Sequence, residues 1–109
     1  MSYNVISIPK FEKELKRLVK KYRSLKDEYI DLVLSLKQHP EQGTNIGNNC
    51  YKIRLAISSK GAGKSGGARV ITYVKITEKS VYLLTIFDKS EQESIPDSEL
   101  LQLLKWIPE

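Results

Sequence analysis

Positively charged side chains dominate one internal stretch of the chain, from residue 52 to residue 75. No aspartate or glutamate occurs in that stretch, and the first acid to follow it is Glu78. Like charges held close together destabilise a fold, so packing alone explains such a cluster poorly. A large anionic ligand explains it better, and polyphosphate backbones are the commonest such ligands. The cations are Lys52, Arg54, Lys60, Lys64, Arg69 and Lys75.

These side chains, together with Lys89, could bind a phosphodiester and could also cleave RNA, which carries its own nucleophile in the ribose 2′-hydroxyl. The protein then has to orient that hydroxyl, remove its proton and stabilise the extra negative charge at phosphorus. Arginine suits the last task because it stays charged and binds phosphate oxygens in pairs. A lysine crowded by other cations can act as the base. Asp88 and Glu91 lie close to Lys89 in sequence.

Other kinds of active site find little support in the sequence. One histidine and one cysteine cannot build a structural zinc site, so we expect no metal and no cofactor. The only histidine, His39, lies outside the basic stretch, which argues against a Ser-His-Asp triad. Gly63–Lys64–Ser65 matches the end of a phosphate-binding P-loop, but such a loop must open a helix, and a strand pattern follows here. A flexible hairpin loop with solvated lysines is the plainer interpretation of residues 58–67.

Three predicted strands position the cations. Successive side chains of a strand point to opposite faces, so Lys52 and Arg54 share one face of the first strand. The third strand is apolar almost throughout, which is typical of a strand covered on both faces. We therefore predict an antiparallel three-stranded meander with one basic face. The strands are 51–57, 68–76 and 80–87, and the residues that share a face of the second are Arg69, Ile71, Tyr73 and Lys75.

The remaining segments complete a single α+β domain over residues 1–109. Residues 2–8 indicate a first strand, and apolar residues recur at helical spacing over Pro9–Tyr22. A second helix begins after Ser24 and ends near Pro40, which gives a helical hairpin that needs the sheet to cover its apolar stripes. Residues 41–49 are rich in glycine and asparagine and indicate a loop. A short C-terminal helix occupies residues 96–107.

The outer face of the first predicted helix is also basic, and such a face is usually solvated, with nucleic-acid binding as the alternative. The net charge of +5 and the isoelectric point near 9.3 favour an anionic partner, nucleic acid before membrane. No apolar run approaches the roughly 20 residues that span a bilayer, and no signal-peptide pattern opens the chain. With one cysteine, these features predict a cytoplasmic protein.

The order of predicted elements is similar to that of the RelE/ParE toxin superfamily. Gly63–Val74 and Val81–Ile95 resemble its HigB/RelE branch, and Lys52–Ala56 fits the same pattern. The resemblance covers nearly the whole chain. Its most specific parts are the Gly-Gly-x-Arg junction between loop and strand and the Leu-Leu-x-Ile-aromatic-x-Lys end of the last strand.

This resemblance implies the RelE-like fold, in which an N-terminal strand and a two-helix hairpin pack on an antiparallel sheet and a short helix ends the chain. It also implies the toxin of a type II toxin–antitoxin system, a metal-independent endoribonuclease that cleaves mRNA in the ribosomal A site. Its partners would be a cognate antitoxin, the ribosome with mRNA, and operator DNA only as the toxin–antitoxin complex.

The resemblance further implies roles for single residues. Arg54, Arg69 and Lys89 correspond to the basic residues that hold and polarise the scissile phosphate. RelE-like members carry a tyrosine beyond the last strand, and residues 90–95 contain none, so the acid and base roles stay open. The candidates for those roles are Lys52, Lys89 and Glu91, and the expected RNA contacts are Lys60, Lys64, Tyr73 and Lys75.

Two other functions remain possible on sequence grounds. A ParE-like toxin would share the fold but act by binding a protein such as gyrase, because fold alone does not fix function. A non-catalytic RNA-binding module would show steep salt dependence and make no new RNA ends.

Overall fold

Strands and helices follow one another in an order close to that predicted. The computed structural model describes residues 2–61, 63 and 66–108. The helices are α1 (Pro9–Lys21), α2 (Leu25–Gln38) and α3 (Asp97–Leu104). The strands are β1 (Asn4–Ser7), β2 (Thr44–Gly47), β3 (Cys50–Leu55), β4 (Ala68–Lys75) and β5 (Ser80–Asp88). Short 3₁₀ turns occupy Ser58–Lys60 and Ile76–Glu78.

The five strands form one sheet in the order β1-β5-β4-β3-β2. Strands β2 to β5 pair antiparallel, which confirms the predicted meander, whereas β1 pairs parallel to β5 and makes the sheet mixed. Strand β2 corrects the expectation of a plain loop at residues 41–49. It is four residues long, and only Ile46 among them is partly buried, so no alternating pattern was available to predict it.

The inner strands carry the core. All nine residues of β5 are buried, as expected of a strand covered on both faces. Most of β4 is buried as well, and its register with β5 shifts between Ile71 and Thr72. Burying an aliphatic or aromatic side chain stabilises a fold by roughly 1.5–3 kcal/mol, so these two strands and the helices on them supply most of the stability.

The helical hairpin covers the sheet. Helix α1 buries Phe11 and Leu18, and α2 buries Leu25, Leu32 and Leu36. Helix α1 also reaches the part of β5 that β1 leaves unpaired, since the β1 register ends at Ser7 opposite Leu83. There the Glu14 carboxylate accepts hydrogen bonds from the Thr85 hydroxyl at 2.7 Å and the Ile86 amide at 3.3 Å. A side chain of α1 thus satisfies strand groups that would otherwise lack a partner.

Helix α3 lies against the part of the basic sheet face near Tyr73 and Lys75. Its Leu100 and Leu103 are buried, and a groove between it and β4 is lined by Tyr73, Lys75, Leu101 and Leu104. Immediately after α3, the Pro108 carbonyl accepts a hydrogen bond from Lys75 Nζ at 2.5 Å. Across the described ranges, no helix combines the length and the apolar character needed to cross a bilayer.

Candidate active site

Arg54 and Arg69 lie directly opposite each other on adjacent strands, where β3 ends and β4 begins. The β3–β4 register pairs Arg54 with Arg69 and Lys52 with Ile71, which confirms that the cations of both strands share a face. Directly opposed residues of an antiparallel pair have their Cβ atoms about 5 Å apart. Two guanidinium groups therefore begin from nearly the same point, an arrangement suited to bracketing one anion.

Arg69 is almost entirely buried, with 5% of its surface exposed. Its guanidinium donates to the Ala68 carbonyl at 3.2 Å. Burial lowers the pKa of Arg69, and the neighbouring charge of Arg54 lowers it further. Holding two like charges together with one of them desolvated costs stability.

Glycine makes the approach of β3 and β4 possible just before Arg69. A Cβ on Gly67 would lie 2.2 Å from the Leu55 carbonyl oxygen, closer than any real contact. The two backbone segments can approach each other this closely only because residue 67 has no side chain. This gives a physical reason for the Gly-Gly-x-Arg junction that the sequence displays.

Lys52 and Lys89 flank the arginine pair, and the Lys89 ammonium group donates a hydrogen bond to the Glu93 carbonyl at 3.3 Å. Lys52 lies beside Arg54 in a shallow depression completed by residues 42–44. Gly43 has φ +97°, and a Cβ there would lie 2.6 Å from the Lys52 carbonyl oxygen, so glycine lets this loop press against β3. Lys89 follows β5, and its amide donates to the Gly67 carbonyl at 3.0 Å. We call the sheet end that contains Lys52, Arg54, Arg69 and Lys89 the arginine end.

The structure places Glu91, a predicted acid–base candidate, against helix α1. Its carboxylate accepts a hydrogen bond from Arg17 at 2.7 Å and pairs with Lys21 at 3.3 Å. The hydrogen bond from Arg17 lowers the pKa of Glu91 most, and the hydrogen bond from Lys21 lowers it further. A general base works best with a pKa near the operating pH, so this environment moves Glu91 away from that role.

Lys60, a predicted RNA contact, points into the protein. Its Nζ pairs with the Asp88 carboxylate at 2.5 Å, and 16% of its side chain is exposed. The same nitrogen lies 5.7 Å from the centre of the Tyr22 ring. Lys64, the other loop lysine predicted to contact RNA, lies outside the described residues.

Tyr73 and Lys75, also predicted as RNA contacts, lie at the half of the face that α3 covers. The Tyr73 ring packs against Tyr82 with 6.4 Å between centroids. Lys75 is held by Pro108 and pairs with Glu78 at 3.5 Å. The arginine end and these two residues are therefore separated along β4 and do not form one cluster.

Sequence reasoning did not identify Asp88 and Tyr22 as structural partners. Asp88 is completely buried and accepts a hydrogen bond from the Tyr22 hydroxyl at 2.5 Å. The available signal was a charged residue at the end of an otherwise apolar strand. Its partners lie 66 and 28 residues away in sequence, at Tyr22 and Lys60.

Taken together, the fold and the arginine end define a small α+β protein with a cluster of cations on one face of its sheet. Comparison with known families agrees. Residues 10–107 match the model of the family described as the RelE toxin of the RelE/RelB toxin–antitoxin system. The chain belongs to the RelE toxin family.

Solved structures of E. coli RelE share the fold. The isolated toxin is 17% identical, with a TM-score of 0.63 over 93% of this chain and 97% of that one. A free double arginine-to-alanine mutant of RelE is 18% identical, with a TM-score of 0.62 over 85% of this chain and 90% of that one. RelE from the intact RelBE toxin–antitoxin complex is 18% identical, with a TM-score of 0.51 over 80% of this chain and 96% of that one.

Proposed function

We propose that this chain is a ribosome-dependent endoribonuclease that cleaves mRNA and thereby stops translation. The observation that carries the proposal is the opposition of Arg54 and the buried Arg69 at the arginine end. Paired, preorganised cations stabilise charge that develops in a transition state, and they need no reorganisation to do so.

In the proposed reaction, the ribose 2′-oxygen attacks the adjacent phosphorus and the bond from phosphorus to the 5′-oxygen breaks. The products are a 2′,3′-cyclic phosphate and a new 5′-hydroxyl end. Arg54 and Arg69 bind the non-bridging oxygens, where negative charge accumulates. Lys89 binds the same phosphate from the β5 side. The reaction is proposed as metal-independent, with side chains supplying the positive charge.

Two proton transfers complete this chemistry, and we assign the first to Lys52. A base must take the proton from the 2′-hydroxyl. Lys52 lies two residues before Arg54 in β3 and therefore on the same face of the sheet. An acid must give a proton to the departing 5′-oxygen, and Lys89 is placed at the opposite side of the arginine pair. Glu91 is tied to Arg17 and Lys21 and receives neither role.

Family membership supports the partners that we propose. E. coli RelE has been solved in a complex with its antitoxin, so we infer that a cognate antitoxin neutralises this chain, and that operator DNA is bound only by the pair. Ribosome dependence places the toxin in the cytoplasm. A second basic surface on α1 would attract a large polyanion such as the ribosome.

A cell-free translation reaction with purified protein, followed by primer extension on the mRNA, tests the proposal. We expect new 5′ ends that require translation and that vanish with Arg69→Ala. Arg23→Ala is the matched control, because Arg23 is exposed in the turn after α1. New ends that persist in Arg69→Ala would contradict the assignment of the site.

The other two functions predict different results. Stalled translation with intact mRNA in this reaction, and damaged DNA in cells that the toxin arrests, would indicate a ParE-like toxin that binds gyrase. Salt-dependent RNA binding without new ends, in both variants, would indicate a non-catalytic RNA-binding module.

A further inference from the structure

A buried carboxylate lies directly beneath the arginine end. Asp88 is the last residue of β5, pairs in register with Ala68, and has no exposed surface. Ser90 donates to Asp88 through its amide at 2.9 Å and through its hydroxyl at 2.7 Å. An isolated buried charge is very costly, so the groups that pair with it are held firmly in place.

The partners of Asp88 come from three separate parts of the chain. Tyr22 belongs to the turn after α1, Lys60 to the loop between β3 and β4, and Ser90 to the turn after β5. Burial by itself raises the pKa of Asp88, but hydrogen bonds from these three residues outweigh it and hold the pKa well below its ordinary range. The carboxylate is therefore charged and fully engaged.

Two consecutive residues, Asp88 and Lys89, bind the two ends of the loop between β3 and β4. Lys60, near its start, pairs with Asp88, and the Gly67 carbonyl, at its end, accepts from the Lys89 amide at 3.0 Å. The start of the loop is also tied to α2. The Ser58 amide donates to Glu28 at 2.8 Å, and the Ser59 amide donates to the Ser24 hydroxyl at 3.0 Å.

We infer that Asp88 is a positioning residue: its carboxylate, with Tyr22 and Lys60, holds residues 58–60 at the start of the β3–β4 loop so that Arg69 and Lys89 meet the RNA phosphate together. This inference rests on the proposed nuclease function. It also gives Lys60 a different role from the predicted one. Lys60 is the counter-ion of Asp88, and its ammonium group faces the interior and does not contact RNA.

The test is a set of variants measured in single-turnover cleavage on programmed ribosomes. Asp88→Asn keeps the shape but removes the charge, and Lys60→Met keeps the aliphatic stem but removes the ammonium. A misplacement of about 1 Å can cost about 100-fold in rate, and we expect each single variant to lose about that much. The loss should appear in the maximal single-turnover rate, with the ribosome concentration at half-maximal rate unchanged.

The double variant Asp88→Asn/Lys60→Met distinguishes positioning from RNA contact. Replacing both partners of a buried pair removes the unpaired charge that each single change leaves behind. We expect the double variant to cleave at least tenfold faster than the product of the single losses predicts. Lys26→Met is the matched control, since Lys26 is exposed on α2. Losses that simply multiply, or a raised half-saturating concentration for Lys60→Met, would overturn the inference.

Two further measurements keep the test independent of folding and of the proposed chemistry. If Asp88→Asn proves too unstable to purify, Tyr22→Phe takes its place in the test. This variant removes a single hydrogen bond to Asp88 and should slow cleavage about tenfold. Hydrogen exchange of the amides at 58–61 should accelerate in Asp88→Asn and accelerate no further in the double variant. Unchanged exchange would overturn the inference whether or not the protein cleaves RNA. Absence of cleavage by the unmodified protein would instead refute the proposed function.

Discussion

Two regions of this protein are rich in cations, and they differ in how the chain holds the charges. At the arginine end, Arg54 and Arg69 are opposed across two strands, and Arg69 is buried. The outer face of α1 carries five exposed cations on successive turns of the helix, and we call them the α1 stripe. Its members are Lys13, Lys16, Arg17, Lys20 and Lys21.

The difference teaches that charge count does not identify a catalytic surface. Exposed cations attract a polyanion over distance, but their field is screened within about 8 Å at physiological salt. A buried arginine is held in place by its packing and is less screened by salt, so it presents a preorganised charge. The sequence shows five cations in the stripe and four at the arginine end, and only the fold separates their roles.

Acidic residues after β5 reinforce the separation. Glu91 pairs with Arg17 and Lys21 at one margin of the α1 stripe. Asp88 pairs with Lys60 and so holds that lysine mostly buried, with 16% of its side chain exposed. These two acids lie in sequence beside Lys89, yet both of their side chains pair on the helical side of the sheet.

The largest expected effect contrasts one residue from each region. Arg69→Ala should lower the single-turnover cleavage rate by about 100- to 1,000-fold, as loss of one preorganised donor does. Lys20→Ala should lower the cleavage rate less than threefold, because a solvated lysine adds only to the long-range attraction of the ribosome. Both rates are measured at saturating ribosomes. Equal losses in the two variants would remove the distinction between the regions.

The faces of the strands at the arginine end were predictable from alternation. The period-two pattern placed Arg54 and Lys52 on one face, and Arg69 with Tyr73 on one face of the next strand, and the register confirms both. The apolar run of β5 correctly predicted a strand buried on both faces. These properties are local, because side-chain direction along a strand is fixed by the backbone alone.

What the sequence could not supply depends on contacts between distant segments. Alternation does not determine register, so the opposition of Arg54 and Arg69 appeared only in the structure. The pairing of Lys60 with Asp88 joins residues 28 apart and reverses the expected direction of that lysine. Tyr73 and Lys75 share a face with Arg69, but the packing of α3 over them is a tertiary event that periodicity does not encode.

A second prediction concerns pH and the junction between the two regions. The folded pKa of Asp88 lies below its unfolded value of about 3.9, so its charge stabilises the fold above that pH. Asp88→Asn should therefore lower the free energy of unfolding by about 3 kcal/mol at pH 7. The difference should shrink as the pH falls below about 4 and the wild-type carboxyl takes up a proton on unfolding.

Urea unfolding of both proteins between pH 3 and pH 7 measures this difference. Glu93→Gln is the control, since Glu93 is exposed and pairs with Lys89 only at 3.7 Å. A stability difference that stays constant over the whole range would show that the Asp88 charge is not involved.

A third prediction treats the α1 stripe as an attracting surface. Lys13→Gln/Lys20→Gln should weaken ribosome binding about fivefold at low salt and reduce the dependence of binding on salt by nearly two released counterions. The rate at saturating ribosomes should not change. The control with the same change in charge is Lys37→Gln/Lys105→Gln, whose lysines are exposed on α2 and just after α3. Equal weakening by the control would show that net charge, and not the stripe, governs attraction.

The smallest effect concerns the stability cost of the stripe itself. Like charges four residues apart on a helix destabilise it by about 0.2–0.5 kcal/mol per pair, and the stripe contains Lys13–Arg17, Lys16–Lys20 and Arg17–Lys21. Lys13→Gln should therefore raise the free energy of unfolding by about 0.3 kcal/mol at low salt, and the gain should vanish at 1 M salt, where screening is nearly complete. Lys37→Gln should not stabilise the protein. A gain that persists at high salt would have another origin, such as helix propensity, and the stripe would then cost the fold nothing measurable.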